Sequence, residues 1–236
     1  MSWYCALLDF LHRPLVRRGE TDPYHRVFPE FQALVGSMPS PVVLELGARN
    51  VTGVTRRQHF PTAGRYVGFD IYSGEGVDVV GDAHRLSDHF PPNSIDAVVS
   101  ASVFEHLAFP WKAVLEINRV LKPGGYVYVS THPTWPPHEL PWDFWRFPVA
   151  GLSHLFIRET GFEVVSATEG LPCKPYSLVT DLPTRPFYKF NLNMGVAVIA
   201  KKVGDYDPDR LRWDIDISQA VKSQYPLPGS ASSSGD

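Results

Sequence analysis

Short apolar runs, bounded by turn residues, recur along the middle of the chain. Five of them precede residue 131, at residues 42–47, 65–71, 77–82, 95–100 and 125–130, and two more follow at 162–168 and 194–200. Runs of this length and composition are typical of strands that are buried in a sheet. The pattern therefore predicts seven strands.

Other segments space their apolar residues as helices do. Residues 110–121 form the clearest example, and the Lys-Pro-Gly-Gly turn at 122–125 should end that helix. Further helices are predicted at 3–16, at 23–35 and at 152–160, the last ending at Gly161. Strands that alternate with helices indicate an α/β protein whose mostly parallel sheet is covered on both faces.

The pattern predicts one domain over residues 1–225, with an N-terminal helical extension at 1–38 and a core at 42–203. Residues 131–150 interrupt the regular pattern with three tryptophans among five prolines, directly after a strand. Loops at such positions carry function, so we expect this one to form part of the functional site. Residues 226–236 are rich in Pro, Gly and Ser and are expected to be a disordered tail.

Composition narrows the classes of function. Lys and Arg total 22 against 25 Asp and Glu, giving a net charge of -3, which disfavours a broad basic face for nucleic acid. No apolar run is long enough to span a bilayer, and the N-terminus does not read as a signal peptide. Two cysteines, Cys5 and Cys173, exclude a disulfide framework and a cysteine zinc site. We expect a cytoplasmic protein, and the aromatic N-terminal segment is compatible with a homodimer.

Polar residues and glycines follow the predicted strands where a ligand would bind. In open parallel sheets, ligands lie beyond the carboxyl ends of the strands. Gly47 follows the first strand and lets the backbone approach a ligand, and the next helix would offer its N-terminus. Asp70 follows the second strand, where a carboxylate can accept both hydroxyls of a ribose. Asp82 follows the third, where it can accept from an exocyclic amine.

The segment 42–129 resembles the class I S-adenosylmethionine-dependent methyltransferases, and in particular the type 11-like members. The similar motifs are Val-Leu-Glu-Leu-Gly (43–47), Val-Gly-Phe-Asp (67–70), Gly-Asp-Ala (81–83), Ser-Ile-Asp-Ala-Val-Val-Ser (94–100), Phe-Glu-His-Leu (104–107) and Glu-Ile-Asn-Arg-Val-Leu-Lys-Pro-Gly-Gly (116–125). The resemblance implies a Rossmann-like seven-stranded sheet of order 3-2-1-4-5-7-6, with strand 7 antiparallel and helices on both faces. It also implies S-adenosyl-L-methionine as the cofactor.

The same resemblance assigns the cofactor residues. Glu45 and Gly47 would flank the methionine part, and Asp70 would hold the ribose. The adenine would face Asp82 and Ala83. The remaining cofactor-binding candidates are Ala48, Ile71 and Ser100.

One position departs from the family pattern. The family has an acid followed by three alternating glycines, whereas Arg49 stands at the second glycine position here. Either the turn after the first strand is wider, or Arg49 points away from the cofactor.

Candidate catalytic residues follow the fourth and fifth strands. Methyl transfer is an in-line displacement at a sulfonium carbon, so alignment of acceptor, methyl and sulfur is the largest expected contribution. A sugar hydroxyl also benefits from a general base or from a divalent cation that lowers its pKa. The candidate bases are His132, which is best placed, then His138, Asp143 and Glu105, whereas His106 is read as structural. Glu105, Glu139 and Asp143 could supply oxygens to magnesium, although their spacing fixes no ligand set.

The run Trp-Asp-Phe-Trp-Arg-Phe at 142–147 bears on the acceptor. Aromatic rings beside an acid and an arginine suit a sugar, and the run resembles a stretch of methyltransferases of polysaccharide and glycolipid synthesis, including mannoside O-methyltransferases. We therefore expect an O-methyltransferase that acts on a sugar hydroxyl of a mono- or oligosaccharide or a glycoside. One alternative is a methyltransferase for a quinone or an aromatic natural product. The other is a non-catalytic cofactor-binding protein, in which Arg49 blocks the methionine pocket.

Overall fold

The structure, a computed structural model, describes residues 21–51, 53, 55–179, 181–209 and 211, together with residues 3, 7, 10, 11 and 13. Most of the helix predicted at 3–16, and all of the tail at 226–236, lie outside these residues. None of the described helices combines the length and the apolar character that crossing a membrane requires.

Seven strands form one mixed sheet in the described part of the chain. They are β1 (Val42–Leu46), β2 (Arg65–Asp70), β3 (Val79–Val80), β4 (Ile95–Ala101), β5 (Leu121–Thr131), β6 (Phe162–Cys173) and β7 (Leu192–Lys202). Their order is β3-β2-β1-β4-β5-β7-β6. β7 runs antiparallel to both of its neighbours, and every other pair is parallel. The fold class and strand order predicted from the sequence are confirmed.

The central strands are apolar on both sides because both faces of the sheet are covered. Neighbouring residues of a strand point to opposite faces, and the core divides accordingly. Leu44 and Val98 belong to one apolar cluster, whereas Val43 and Val99 belong to the other. This double burial explains why the strands read as continuous apolar runs.

Within residues 21–209, as far as the structure describes them, three α-helices cover the sheet. α1 (Tyr24–Gly36) packs on the face of Val43 through its buried residues Val27, Phe31 and Val35. α2 (Pro110–Val120) and α3 (Val149–Ser153) contribute to the cluster on the other face. α1 and α2 agree with the helices predicted at 23–35 and 110–121, and Leu121 already begins β5.

The helix predicted at 152–160 is wrong. The structure has the short α3, then a turn, then a three-residue 3₁₀ helix, Arg158–Thr160, that ends at Gly161 in a left-handed conformation. The Thr160 hydroxyl accepts a hydrogen bond from the Ile157 amide at 3.0 Å and lies 2.9 Å from the Leu155 carbonyl. Such local side-chain bonds compete with the hydrogen bonds of a regular helix.

Two other expectations are corrected around β2. The described residues between β1 and β2 contain a 3₁₀ turn, Arg57–His59, and no α-helix. β3 has two residues rather than the six predicted. The Asp78 carboxylate accepts a hydrogen bond from the Gly68 amide at 2.7 Å, which occupies a donor that a longer ladder would use.

The end of β7 is fixed by a buried lysine. Lys202 is 1% exposed. Its ammonium group donates to the carbonyls of Asn118 (2.7 Å) and Leu121 (2.9 Å) and to the side chain of Asn93 (3.0 Å). It also pairs with Asp205 at 2.7 Å. One side chain therefore ties β7 to the end of α2 and the start of β5.

We expect Lys202→Met to lower the free energy of unfolding by about 2–4 kcal/mol, because buried carbonyls would lose their donor. Denaturant unfolding followed by circular dichroism measures this change. Lys201→Met is the matched control, since Lys201 is only half-buried and lies over the Tyr126 ring. An equal loss in both variants would show that the buried ammonium group has no special role.

Candidate active site

A cleft opens beyond the carboxyl ends of β1, β2, β3 and β4. Its empty volume, including the mouth that is open to solvent, is about 770 Å³. Five of the eight predicted cofactor residues line it: Gly47, Asp70, Ile71, Asp82 and Ala83. The parallel pairing of these strands brings together residues that are up to 36 positions apart in the sequence.

The turn after β1 requires a glycine. The amides of Gly47 and Ala48 both donate to the Phe69 carbonyl, at 2.9 and 3.1 Å, which folds the turn against β2. Gly47 has a φ of +77°, and a Cβ there would lie 2.3 Å from Cγ2 of Val103. A side chain at this position would therefore be strained and would collide with the wall of the cleft.

Three predicted cofactor residues lie outside the walls of the cleft. Ala48 and Ser100 are buried, and Ser100 is fully covered. Glu45 is also buried, and its carboxylate accepts hydrogen bonds from the Tyr66 hydroxyl (2.7 Å) and Arg56 (3.3 Å). Burial and the neighbouring Glu45 raise the pKa of Tyr66, so the phenol keeps the proton that it donates. Glu45 therefore links β1 to Tyr66 of β2 and to Arg56.

Arg49 lines the cleft, which disfavours the alternative that it points away from the cofactor. Its Nε lies 3.8 Å from Oδ1 of Asp70 and has no hydrogen-bond partner, although it is buried. Its guanidinium group also lies 5.5 Å from the centre of the Tyr72 ring. The Asp70 carboxylate accepts hydrogen bonds from the backbone amides of Arg49 (3.2 Å) and Tyr72 (3.0 Å). Arg49 and Asp70 therefore share the part of the cleft next to β2.

Asp82 is held in place by His84, a residue that the sequence analysis missed. Oδ1 of Asp82 accepts from the His84 amide at 2.9 Å and lies 2.6 Å from Nδ1 of the His84 ring. The Phe109 amide donates to Nε2 of His84, so Nδ1 carries the proton. Burial works to raise the pKa of Asp82, but the side-chain and backbone hydrogen bonds from His84 outweigh it and lower that pKa. Asp82 is therefore an ionised acceptor at neutral pH.

The four predicted catalytic residues gather beside the ends of β4 and β5, and none of them is among the residues that line the cleft. Ser102 and His106 line the cleft, and the Ser102 hydroxyl lies 3.3 Å from Nε2 of His132. Ser102 has a φ of +55°, which is uncommon for a residue other than glycine and is often found at functional sites. Sequence reasoning missed Ser102, because its backbone conformation has no signature in the sequence.

Glu105 lies at the centre of this group and is fully buried. Its Oε2 accepts a hydrogen bond from the Thr131 hydroxyl at 2.6 Å. Its Oε1 has no hydrogen-bond partner and lies 3.5 Å from Nε2 of His132 and 4.0 Å from Nε2 of His106. Its backbone carbonyl accepts from the amides of Phe144 and Trp145. Glu105 therefore connects β5 to the loop at 131–150.

An ion pair organises that loop. Arg146 donates to both carboxylate oxygens of Asp143, at 2.6 and 2.7 Å, and the His138 amide donates to one of them at 2.9 Å. Burial works to raise the pKa of Asp143, but these hydrogen bonds and the Arg146 charge lower it to about 2. His132 stacks on Trp135, with ring centres 4.5 Å apart. The loop thus holds His132 and His138 beside the cleft.

Comparison with known proteins identifies the domain. Residues 36–129, which include all the residues that line the cleft except Trp142, match the sequence profile of a family described as "Methyltransferase domain". This match and the strand order support the class I S-adenosylmethionine-dependent methyltransferase that the sequence analysis predicts. No curated protein sequence matches this chain.

Solved structures with the same fold include two methyltransferases. A SAM-dependent methyltransferase from Aquifex aeolicus is 17% identical with a TM-score of 0.51, covering 84% of this chain and 98% of that one. One from Archaeoglobus fulgidus is 16% identical with a TM-score of 0.51, covering 85% and 100%. The [4+2]-cyclase SpnF is 19% identical with a TM-score of 0.50, covering 74% and 81%. At these identities the likeness shows the fold alone.

We expect Asp70→Ala to raise the dissociation constant for S-adenosylmethionine about 10- to 100-fold, because a ribose would lose hydrogen bonds to a charged acceptor. Isothermal titration calorimetry measures it. Asp70→Asn keeps one acceptor oxygen and should lose less. Asp88→Ala removes a half-exposed carboxylate that pairs with Arg85 and should bind as the unchanged protein does. Unchanged affinity in Asp70→Ala, with an unchanged melting temperature, would contradict the assignment.

Proposed function

We propose that the enzyme methylates a hydroxyl group of a sugar or glycoside, with S-adenosylmethionine as the methyl donor and His132 as the general base. One observation carries the proposal: Nε2 of His132 faces Ser102 at the edge of the cleft. Nδ1 of the same ring lies 3.0 Å from the Met194 carbonyl. A carbonyl only accepts, so Nδ1 carries the proton and Nε2 is the basic nitrogen.

The residues of the cleft fit the proposed cofactor. The Gly47 turn leaves room that a Cβ would fill, and Arg49 offers a buried Nε without a hydrogen-bond partner. We assign the ribose to Asp70 and Ile71 and the adenine to Asp82 and Ala83. Ala48, Ser100 and Glu45 would support this site from behind the walls.

The reaction then follows as an in-line displacement. The hydroxyl proton of the acceptor passes to Nε2 of His132, and an oxygen lone pair forms the bond to the methyl carbon. S-Adenosylmethionine, held by Asp70 and Asp82, would supply the methyl group, and the electron pair of the carbon–sulfur bond would remain on the sulfur of the departing S-adenosylhomocysteine. The Glu105 carboxylate, 3.5 Å from Nε2, would stabilise the protonated imidazole.

The loop supports a sugar as the acceptor. Trp135 is 41% exposed and Phe144 is 36% exposed, whereas Trp142 lines the cleft. Aromatic faces suit the C–H faces of a sugar ring. A mannoside of polymethylated polysaccharide synthesis is one such acceptor. A quinone or an aromatic natural product would use the same rings by flat stacking.

The three carboxylates that the sequence offered as magnesium ligands do not favour a magnesium site. Asp143 is committed to Arg146, and Glu139 is exposed. Magnesium prefers an octahedral set of oxygen ligands, and Glu105 is the remaining carboxylate of the predicted three. We therefore assign the base to His132, with Asp143 as a residue that positions the loop and His138.

A non-catalytic role is favoured by a different observation, the place of Arg49 beside Asp70. If Arg49 blocks the cleft, the unchanged protein will not bind S-adenosylmethionine, whereas Arg49→Ala will. Binding by the unchanged protein would reject this alternative. The cytoplasmic location and the homodimer stay predictions from the sequence.

We expect His132→Ala to bind S-adenosylmethionine normally and to lower turnover about 10²- to 10⁴-fold, because the general base is lost. The assay follows labelled methyl into a panel of mono- and oligosaccharides and planar phenols. His154→Ala, which changes an exposed histidine elsewhere, should keep full activity. Full turnover by His132→Ala would exclude this residue as the base. Label found only in phenols would exclude the sugar.

A further inference from the structure

Three histidines surround the buried carboxylate of Glu105. One donor atom each from Glu105, His106 and His138 lies within 4.8 Å of the other two. Nε2 of His132 lies 3.5 Å from Oε1 of Glu105. The four side chains come from the ends of β4 and β5 and from the loop that follows.

The hydrogen bonds of these rings fix their tautomers. Nδ1 lies 2.6 Å from the Trp142 carbonyl in His106, 3.0 Å from the Met194 carbonyl in His132 and 3.2 Å from the Pro136 carbonyl in His138. Because carbonyls only accept, each Nδ1 carries the proton, and each neutral ring has its lone pair on Nε2. A histidine that binds a metal through one nitrogen commonly donates the other N–H to a carbonyl in this way.

The carboxylate provides an independent indication. Glu105 is 0% exposed, and its Oε1 has no hydrogen-bond partner. A buried carboxylate oxygen without a partner is costly unless a cation or a donor compensates it. The three histidines present lone pairs, not protons, on their second nitrogens, so they do not supply that donor while they are neutral.

We propose that Glu105, His106 and His138 bind a divalent transition-metal ion of the zinc type. Two histidines and one glutamate are a known ligand set of catalytic zinc sites, which keep a further position open. Imidazole ligands favour such ions over magnesium. Ligands about 2.1 Å from a tetrahedral ion lie about 3.4 Å apart, so donor atoms that now lie up to 4.8 Å apart must approach by up to about 1.4 Å. His138 lies on the loop and is partly exposed, which makes such a movement feasible.

The ion would deepen the proposed function. A metal beside His132 would lower the pKa of an acceptor hydroxyl, and His132 would then take its proton. This catalytic role rests on the proposed function, whereas the binding of the metal does not. The two can therefore be tested separately.

The test uses the full chain without an affinity tag, after treatment with a chelator. Calorimetric titration with Zn²⁺ should give one equivalent, and Co²⁺ should give visible absorption bands, both without S-adenosylmethionine or acceptor. Glu105→Gln and His138→Ala should each weaken Zn²⁺ binding at least 10-fold. His154→Ala is the matched histidine control and should bind as the unchanged protein does. Mg²⁺ at the same concentration should not compete.

Melting temperatures establish that each variant is folded, and His138→Ala remains informative if Glu105→Gln does not fold, because His138 lies on the partly exposed loop. The proposal is overturned if Zn²⁺ does not bind, or if His138→Ala binds it as tightly as His154→Ala.

Methyl-transfer assays with and without Zn²⁺ separate the metal site from the proposed function. Stoichiometric Zn²⁺ binding without transfer to any hydroxyl would support the metal site and reject the proposed function. Methyl transfer that needs no metal, together with the absence of Zn²⁺ binding, would support the proposed function and reject the metal site.

Discussion

The parallel pairing of β2, β1, β4 and β5 is the constraint on which the site depends. It places the ends of these strands at one edge of the sheet, where their loops form the cleft. The insertion of the antiparallel β7 beside β5 completes that edge. Thr131 pairs with Val196, so the start of β7 lies next to the end of β5. The Met194 carbonyl thereby reaches His132 and sets its tautomer.

Glu105 links the edge of the sheet to the loop at 131–150. Its side chain bonds Thr131 of β5, and its backbone carbonyl holds the loop through Phe144 and Trp145. A fully buried carboxylate is unfavourable unless it is compensated. Glu105 therefore differs from a surface carboxylate, which water compensates. Its carboxylate takes part in both proposals, because it would stabilise a protonated His132 and would bind the metal.

The sheet could be predicted from the sequence because its central strands are buried on both faces. Asp70 could be predicted for the same reason, since it ends the strand β2, whereas Asp82 follows the short and partly exposed β3. The short β3 and the 3₁₀ helix at Arg158–Thr160 could not, because side chains there replace backbone hydrogen bonds. The direction of Arg49 and the pairing of His132 with Met194, 62 residues away, depend on the assembled fold. No local pattern carries that information.

The most direct test of the account is a crystal structure with S-adenosylhomocysteine bound. The account predicts the ribose hydroxyls on Asp70, the adenine beside Asp82 and the sulfur facing the Ser102–His132 pair. Arg49 would then have moved from its place beside Asp70 or would contact the cofactor through Nε. A ligand bound elsewhere, or a sulfur directed away from His132, would contradict it.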